Sequence, residues 1–297
     1  MQNQPPYIQV VKEIGQNNPK VFKEEKVYAG IDEVGVSSIA GSLVCSVVIL
    51  PANHTISRLP IDSKVLHDNS ITEMAQEIEK QALYYAILAV SPQDVDKQVQ
   101  KKGMLKLQKI IWRKAIETVR QWFPDIPIVL DGKHTVNDMR FISPIIGADR
   151  THDAVSASAI LSKYWCDEEL REEGKKYPHY LLAKHKGYPT TEHLDKIRQY
   201  GTTSFHRPMM TEKALEKPQD IRTFTLSDME KSLRKAGEYL KEDSSLANES
   251  TLPFLRQMWK QVIQQKTLPS EKQQRFTMNV CREVIKNQKR KTKKQTS

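Results

Sequence analysis

Cysteine is scarce in this 297-residue chain. Cys45, Cys166 and Cys281 stand far apart, with neither the number nor the spacing for a disulfide framework or a zinc site, which leaves packing as their role. Long apolar runs are missing too. The longest, Leu43 to Leu50, is far too short to cross a bilayer. Met1-Gln-Asn-Gln-Pro-Pro6 lacks the basic-then-apolar order of a secretion signal, so a cytoplasmic protein without a membrane partner is expected. Acids are outnumbered, 36 Asp and Glu against 46 Lys and Arg, for a net charge of +10. The imbalance is local: Glu216 to Ser297 holds 18 cations against 10 acids, whereas residues 1–215 hold 28 against 26. It peaks in Lys286-Asn-Gln-Lys-Arg-Lys-Thr-Lys-Lys294, six cations without an acid. Such a cluster is either a solvated end or a polyanion-binding segment of salt-sensitive, sequence-independent affinity.

Patterning divides the chain. Residues 1–20 are polar and read as a loosely ordered lead-in. Val27 to Ile31 and Leu43 to Leu50 read as strands joined by a short turn, followed by a helix over about 70–82 in which Ser70 and Glu73 form a capping box. Tyr84 to Val90 reads as the next strand. A long helix follows from Lys101 or Met104 to Trp122, with Leu105, Ile111, Ala115 and Val119 at helical spacing. Ile126 to Leu130 is a short strand that delivers Asp131, and Phe141 to Ile146 is another. A helix runs from Asp153, read as its N-cap, to about Gly174, and a further one from Glu192 to Tyr200. Strands first, then alternating helices and strands, argue for an α/β fold with a mixed sheet over 21–215. Residues 216–285 read as a small all-α extension and 286–297 as a basic, disordered tail. No motif in the extension names a partner.

The chemistry-bearing stretch is Tyr28-Ala-Gly-Ile-Asp-Glu-Val-Gly35, which sets Asp32 and Glu33 at the end of an extended segment. Alone, the pair either opens a polar turn or faces a cation, because desolvating ionised carboxylates without a partner is expensive. Asp131 at a strand end and Asp149 ahead of a helix sit where loops of an α/β sheet open to ligands. Carboxylates converging without histidine or thiolate suit Mg²⁺ or Mn²⁺, and two such ions serve phosphodiester cleavage.

Five ordered motifs resemble the ribonuclease HII family: Ala29-Gly-Ile-Asp-Glu-Val-Gly35, Asp62-Ser-Lys64, Leu130-Asp-Gly132, Asp149 with Val155-Ser-Ala-Ser-Ala-Ile-Leu-Ser-Lys163, and a C-terminal signature. The signature comprises Tyr177-Pro, Lys184-His-Lys-Gly-Tyr-Pro-Thr190, His193-Leu, Tyr200-Gly and His206-Arg207. The resemblance spans about residues 26–208. It implies an RNase H-like mixed β-sheet flanked by helices, and hydrolysis of the RNA strand of an RNA/DNA hybrid or ribonucleotide-containing duplex, leaving 5′-phosphate and 3′-hydroxyl ends. It implies two-metal use of Mg²⁺ or Mn²⁺ by Asp32, Glu33, Asp131 and Asp149. Because successive side chains on a straight strand point to opposite faces, Glu33 ranks below the three aspartates as a direct ligand.

One departure stands out. Relatives follow the opening motif with Arg-Gly, so that a Gly-Arg-Gly turn meets the ribose 2′-hydroxyl and phosphate; this chain has Val36-Ser37. Weakened selection of single embedded ribonucleotides is expected. Tyr188 matches the tyrosine that packs on the nucleotide sugar, and Lys64, Lys184, Lys186 and Arg207 are candidates for the phosphate backbone. His185 and His206 are read as structural or substrate-edge groups, and His134 has no assignment. A second reading, a nucleic-acid-binding protein that has lost catalysis, is suggested by Val36-Ser37. Retention of all four acids weighs against it, since unused clustered acids repel one another.

Overall fold

The strands β3 (Leu43–Ile49) and β4 (Tyr84–Val90) lack polar alternation because both of their faces are covered, and every residue in them is buried. They occupy the middle of a six-stranded sheet in a computed structural model that describes residues 5–15, 27–63, 66, 68–137, 139–216, 225–247, 251–269 and 271–295. Around them stand β1 (Ile8–Gly15), β2 (Ala29–Val34), β5 (Ile128–Asp131) and β6 (Ile142–Ile145) in the order β1-β4-β3-β2-β5-β6. The β1/β4, β4/β3 and β3/β2 pairs are antiparallel, whereas β2/β5 and β5/β6 are parallel. This mixed sheet is the α/β architecture expected, within the first of two compact units, Met1–Gln219 and Asp220–Ser297.

Helices α1 (Asp68–Gln81), α2 (Pro92–Lys102), α3 (Met104–Arg120) and α4 (Asp153–Lys176) build the outer layers. On one face, Leu107, Ile111, Trp112, Ala115 and Val119 of α3 pack on Ile31, Val47 and Leu88. On the other, Met74 and Ile78 of α1 and Ala157, Ile160 and Leu161 of α4 pack on Val44, Val48 and Ile87. The small residues at the start of α4 are used for close approach. At Gly30 of β2 a Cβ would overlap the backbone of Ala154 and Val155. Three buried serines of the same helix stitch it to β2 and to the loop at Ile61: Ser158 Oγ accepts from Asp32 N (2.9 Å), Ser162 Oγ lies 3.2 Å from Asp32 O, and Ser156 Oγ accepts from Ile61 N (2.9 Å).

The remainder of this unit consists of α5 (Leu182–His185), α6 (Thr191–Tyr200) and α7 (Pro208–Glu216) with their loops. These loops hold the turn after β2. Arg207, fully buried, donates from Nε to Gly41 O (2.8 Å) and from Nη1 to Gly35 O (2.6 Å) and Ser38 O (2.8 Å). Its backbone N–H reaches Ile39 O, while Ile39 and Ala40 donate to Gly187 O. Gly187 has φ +73°, and a Cβ there would stand 2.5 Å from Ala40 O, so only glycine lets these loops meet. Three histidines complete the clamp. His185 and His193 stack at 3.7 Å, His193 Nδ1 lies 2.9 Å from Tyr188 O, and the Nε2 atoms of His193 and His206 are 3.1 Å apart. Since His206 Nδ1 accepts from Thr203 N, the neutral forms are fixed: His193 carries its proton on Nδ1 and His206 on Nε2. Burial pulls their pKa values down to about 3 and about 4.

Four sequence readings are corrected. Part of the expected lead-in is β1, an edge strand whose Ile8 is buried and whose Lys12 pairs with Glu79. The long helix starts at Met104, the later of the two expected starts, after Gly103 (φ +80°); what the sequence reading missed is the separate α2 before it, which Ser91 caps by accepting from Asp94 N. Asp153 is the first residue of α4 and lies 3.1 Å from His54 Nε2, with His152 at the N-cap position. The basic end is helical through Gln295. In the second unit, α8 (Leu226–Glu242), α9 (Leu252–Trp259) with a π-helical turn over Lys260–Gln264, and α10 (Glu271–Gln295) share a core that includes Met229, Leu233, Met258, Cys281 and Val284. No helix among the described residues is long and apolar enough to cross a membrane.

Gly30→Ala is expected to lower stability by about 2 kcal/mol or more through overpacking against α4, read as a thermal midpoint lowered by ~4 °C or more; an unchanged midpoint would contradict the close approach. Acidification is expected to loosen the histidine clamp. The unfolded imidazoles take up protons below about pH 6.5 and the folded ones do not until about pH 3 to 4, so stability falls as pH drops through that window, by up to ~1.4 kcal/mol per unit for each histidine. Denaturant titrations at pH 7.5 and 5 would show a smaller fall in His193→Gln than in wild type.

Candidate active site

The register of two neighbouring strands assembles the acidic corner. β2 and β5 run parallel with Ile31 opposite Leu130, and both of these side chains enter the core beneath α3. Asp32 and Asp131, one residue further along each strand, therefore stand side by side at the carboxyl ends and face the α4 layer. Asp149 arrives from the adjoining side, in a single 3₁₀ turn over Ala148–Arg150 directly before α4, and is buried. The N–H of Ala148 donates to Asp131 Oδ1 at 2.8 Å, which locks that turn to the end of β5.

Electrostatics record this convergence. Asp32 is pushed well above the usual carboxylate range, chiefly by burial, then by the charges of Glu33 and Asp131, with Asp149 adding a smaller push; the Glu33 N–H, 2.8 Å from Asp32 Oδ1, opposes them. Arg150 Nε lies 3.8 Å from Asp149 Oδ1, with its side chain 66 % exposed. No ion pair reaches Asp32 or Asp131 among the described residues.

Glu33 faces the opposite side. Its two carboxylate oxygens accept from Gln108 Nε2 and Trp112 Nε1 of α3, each at 2.7 Å. Strand geometry foretold this divergence; the α3 partners had no signal beyond the helical spacing that places them one turn apart. Among the described residues, no three of His, Cys, Asp and Glu are placed to hold one metal ion. The oxygen-only chemistry of Asp32, Asp131 and Asp149, with Asp32 and Asp131 reached by no ion pair among the described residues, nonetheless fits a hard divalent cation.

The other expected contacts separate. Tyr188 is 43 % exposed, with its backbone fixed by His185 and His193. Ser37 is exposed, whereas Val36 is half-buried and packs towards the core. Lys184 is paired with Glu192, and Lys186 with Asp68 and Asp167. Lys64 lies outside the described residues. Arg207 is not placed to meet phosphate: it is fully buried and spent on the carbonyls of the 35–41 turn, and burial draws its pKa down to about 10. Ser158 and Ser162, which the sequence reading held only as members of the 155–163 motif, fix both main-chain polar groups of Asp32.

Comparison with known proteins bears on the same region. The family model described as ribonuclease HII matches residues 29–213. The ribonuclease HII of Psychromonas ingrahamii is 33 % identical over 188 residues, covering 63 % of this chain and 88 % of its own. That of Caldanaerobacter subterraneus is 33 % identical over 213 residues, covering 69 % and 85 %. Two solved structures share the fold. RNase HII from Archaeoglobus fulgidus, in a complex with PCNA, gives a TM-score of 0.54 at 22 % identity over 68 % of this chain and 99 % of that one. Bst-RNase HIII in complex with Mn²⁺ gives 0.54 at 18 % identity over 64 % and 69 %. The acids and strands β2 to β6 of the sheet that carries them all fall within the matched residues, and the chain belongs to the ribonuclease HII family of RNase H-type endoribonucleases.

Proposed function

We propose that the chain is a metal-dependent endonuclease that hydrolyses the RNA strand of RNA/DNA hybrids to 5′-phosphate and 3′-hydroxyl ends, with Asp32, Asp131 and Asp149 holding Mg²⁺ or Mn²⁺. The observation that carries this is the side-by-side placement of Asp32 and Asp131 on parallel strands, with Asp149 close enough to raise the Asp32 pKa. Bound dications would supply an activated water and charge neutralisation at the leaving oxygen. The family resemblance and the Mn²⁺ bound to Bst-RNase HIII support that choice of cofactor. The chain's own part is positioning. Serines of α4 hold the Asp32 backbone, Ala148 N–H orients the Asp131 carboxylate, and Gln108 and Trp112 keep the Glu33 carboxylate on the far side of the strand. Tyr188, presented on the clamped loop, is the group for the nucleotide sugar.

Val36 and Ser37 bear on selectivity. An apolar side chain turned towards the core offers no charge-assisted bond to a phosphate beside a single ribonucleotide. The protein should therefore cut continuous hybrids as well as duplexes carrying one ribonucleotide. A strong preference for the single-ribonucleotide duplex would refute this.

Asp131→Asn and Asp149→Asn are expected to lower hybrid cleavage about 100-fold or more while leaving the fold intact, the scale of removing a key electrostatic group from a reaction centre. Wild-type activity absent with both Mg²⁺ and Mn²⁺, but with hybrid binding retained, would favour the non-catalytic reading instead. A second readout needs no turnover. With its pKa raised, Asp32 holds a proton in the folded state at pH values where the unfolded chain has lost it, so stability falls as pH rises above about 4 towards the raised value. Asp32→Asn should thus melt higher than wild type in EDTA at pH 8, with the gap closing at pH 4. Mn²⁺ should raise the wild-type midpoint and leave the variant unmoved.

A further inference from the structure

The second unit carries a charge asymmetry that the cleavage chemistry does not use. Residues 220–297 contain 17 Lys and Arg against 9 Asp and Glu, a surplus of eight, whereas residues 1–219 are within two charges of balance. On α10 the buried side is apolar, with Met278, Cys281 and Val284 packed on the core shared with α8. Arg282, Lys286, Lys289 and Arg290 are exposed and recur at i, i+4, i+7 and i+8, so they form one stripe on the solvent side, about 12 Å long at 1.5 Å per residue. Lys291 is taken up by Asp243. Lys286, Lys289 and Arg290 have no ion-pair partner among the described residues, and Glu283 is the one acid between Arg282 and Gln295.

Helix electrostatics alone do not explain the stripe. The negative end of a helix dipole favours cations in the last turn, but Arg282 and Lys286 stand more than two turns before Gln295. A membrane surface is a poor match, because the apolar side of α10 is already consumed by its own core. A line of like charges spread over about two helical turns suits a row of phosphates. We propose that this stripe is a sequence-independent nucleic-acid-binding surface that adds affinity for the duplex on which the first unit acts. The assignment of the duplex rests on the proposed function; the stripe itself rests on charge and helix geometry.

The experiment uses the full chain with Arg282, Lys286, Lys289 and Arg290 all changed to Gln. Binding of a 20-base-pair RNA/DNA hybrid and of a DNA duplex of equal length is measured in EDTA across salt concentrations, and hybrid cleavage is measured separately at saturating substrate. Expected are binding weakened by ~10-fold or more near 0.1 M salt, to a similar degree for both duplexes, and a slope of log affinity on log salt reduced by about 3. Cleavage at saturation should be unchanged. Should the fourfold variant melt early, Lys286→Gln with Arg290→Gln carries the test, with a slope change of about 2. An unchanged slope in a folded variant overturns the proposal, as does intact duplex binding with lost affinity for polyglutamate, which would point to an acidic protein. Wild type that binds both duplexes but cleaves neither would strike at the proposed function and leave the stripe standing.

Discussion

Mutual repulsion among carboxylates is the constraint from which the rest of the first unit takes its meaning. Asp32, Asp131 and Asp149 are brought together at strand ends and a helix start, and the cost shows in the raised pKa of Asp32. A chain would spread such charges apart if left to itself. They stay together because a parallel strand pair and the hydroxyls of α4 fix the main chain around Asp32 and Asp131, while the Ala148 N–H donates to the Asp131 carboxylate itself.

The tight seat of α4 on β2 follows from this need. Serine is a poor choice for a helix interior on propensity alone. In α4 it lets the helix approach closely and supplies hydrogen bonds to strand groups, including the Asp32 N–H and the Ser46 hydroxyl. Gly30 completes the arrangement by leaving no side chain between strand and helix backbone. The apolar layers elsewhere provide the driving force, at roughly 1.5–3 kcal/mol for each large aliphatic side chain buried. That reserve lets the fold carry a buried arginine, whose desolvation costs several kcal/mol and whose bonds to carbonyls return about 1.5–3 kcal/mol each.

Much of this was legible in the sequence, and the failures have physical causes. The apolar runs of β3 and β4 and the helical spacing in α3 each announce an element through its burial pattern. The divergence of Asp32 and Glu33 follows from the twofold repeat of a strand. β1 escaped notice because an edge strand with one wet face carries Gln9, Lys12 and Glu13, which resemble loop composition. α2 escaped because its Ser-Pro start reads equally well as a strand terminator. Arg207 is a candidate for phosphate since arginines beside a polyanion-cleaving site usually serve it; nothing local in the sequence reveals that three carbonyls 166 to 172 residues away would claim the guanidinium.

The grip of Arg207 on the turn after β2 has a bearing on how specificity can drift. It holds Gly35, Ser38 and Gly41 through their main-chain oxygens alone, so this anchoring does not depend on the side chains at 36 and 37. Val36 and Ser37 can stand where the family resemblance leads one to expect Arg-Gly while these three main-chain contacts are kept. Recognition and architecture are thereby separable traits at this site, and evolution is free to retune the first while inheriting the second.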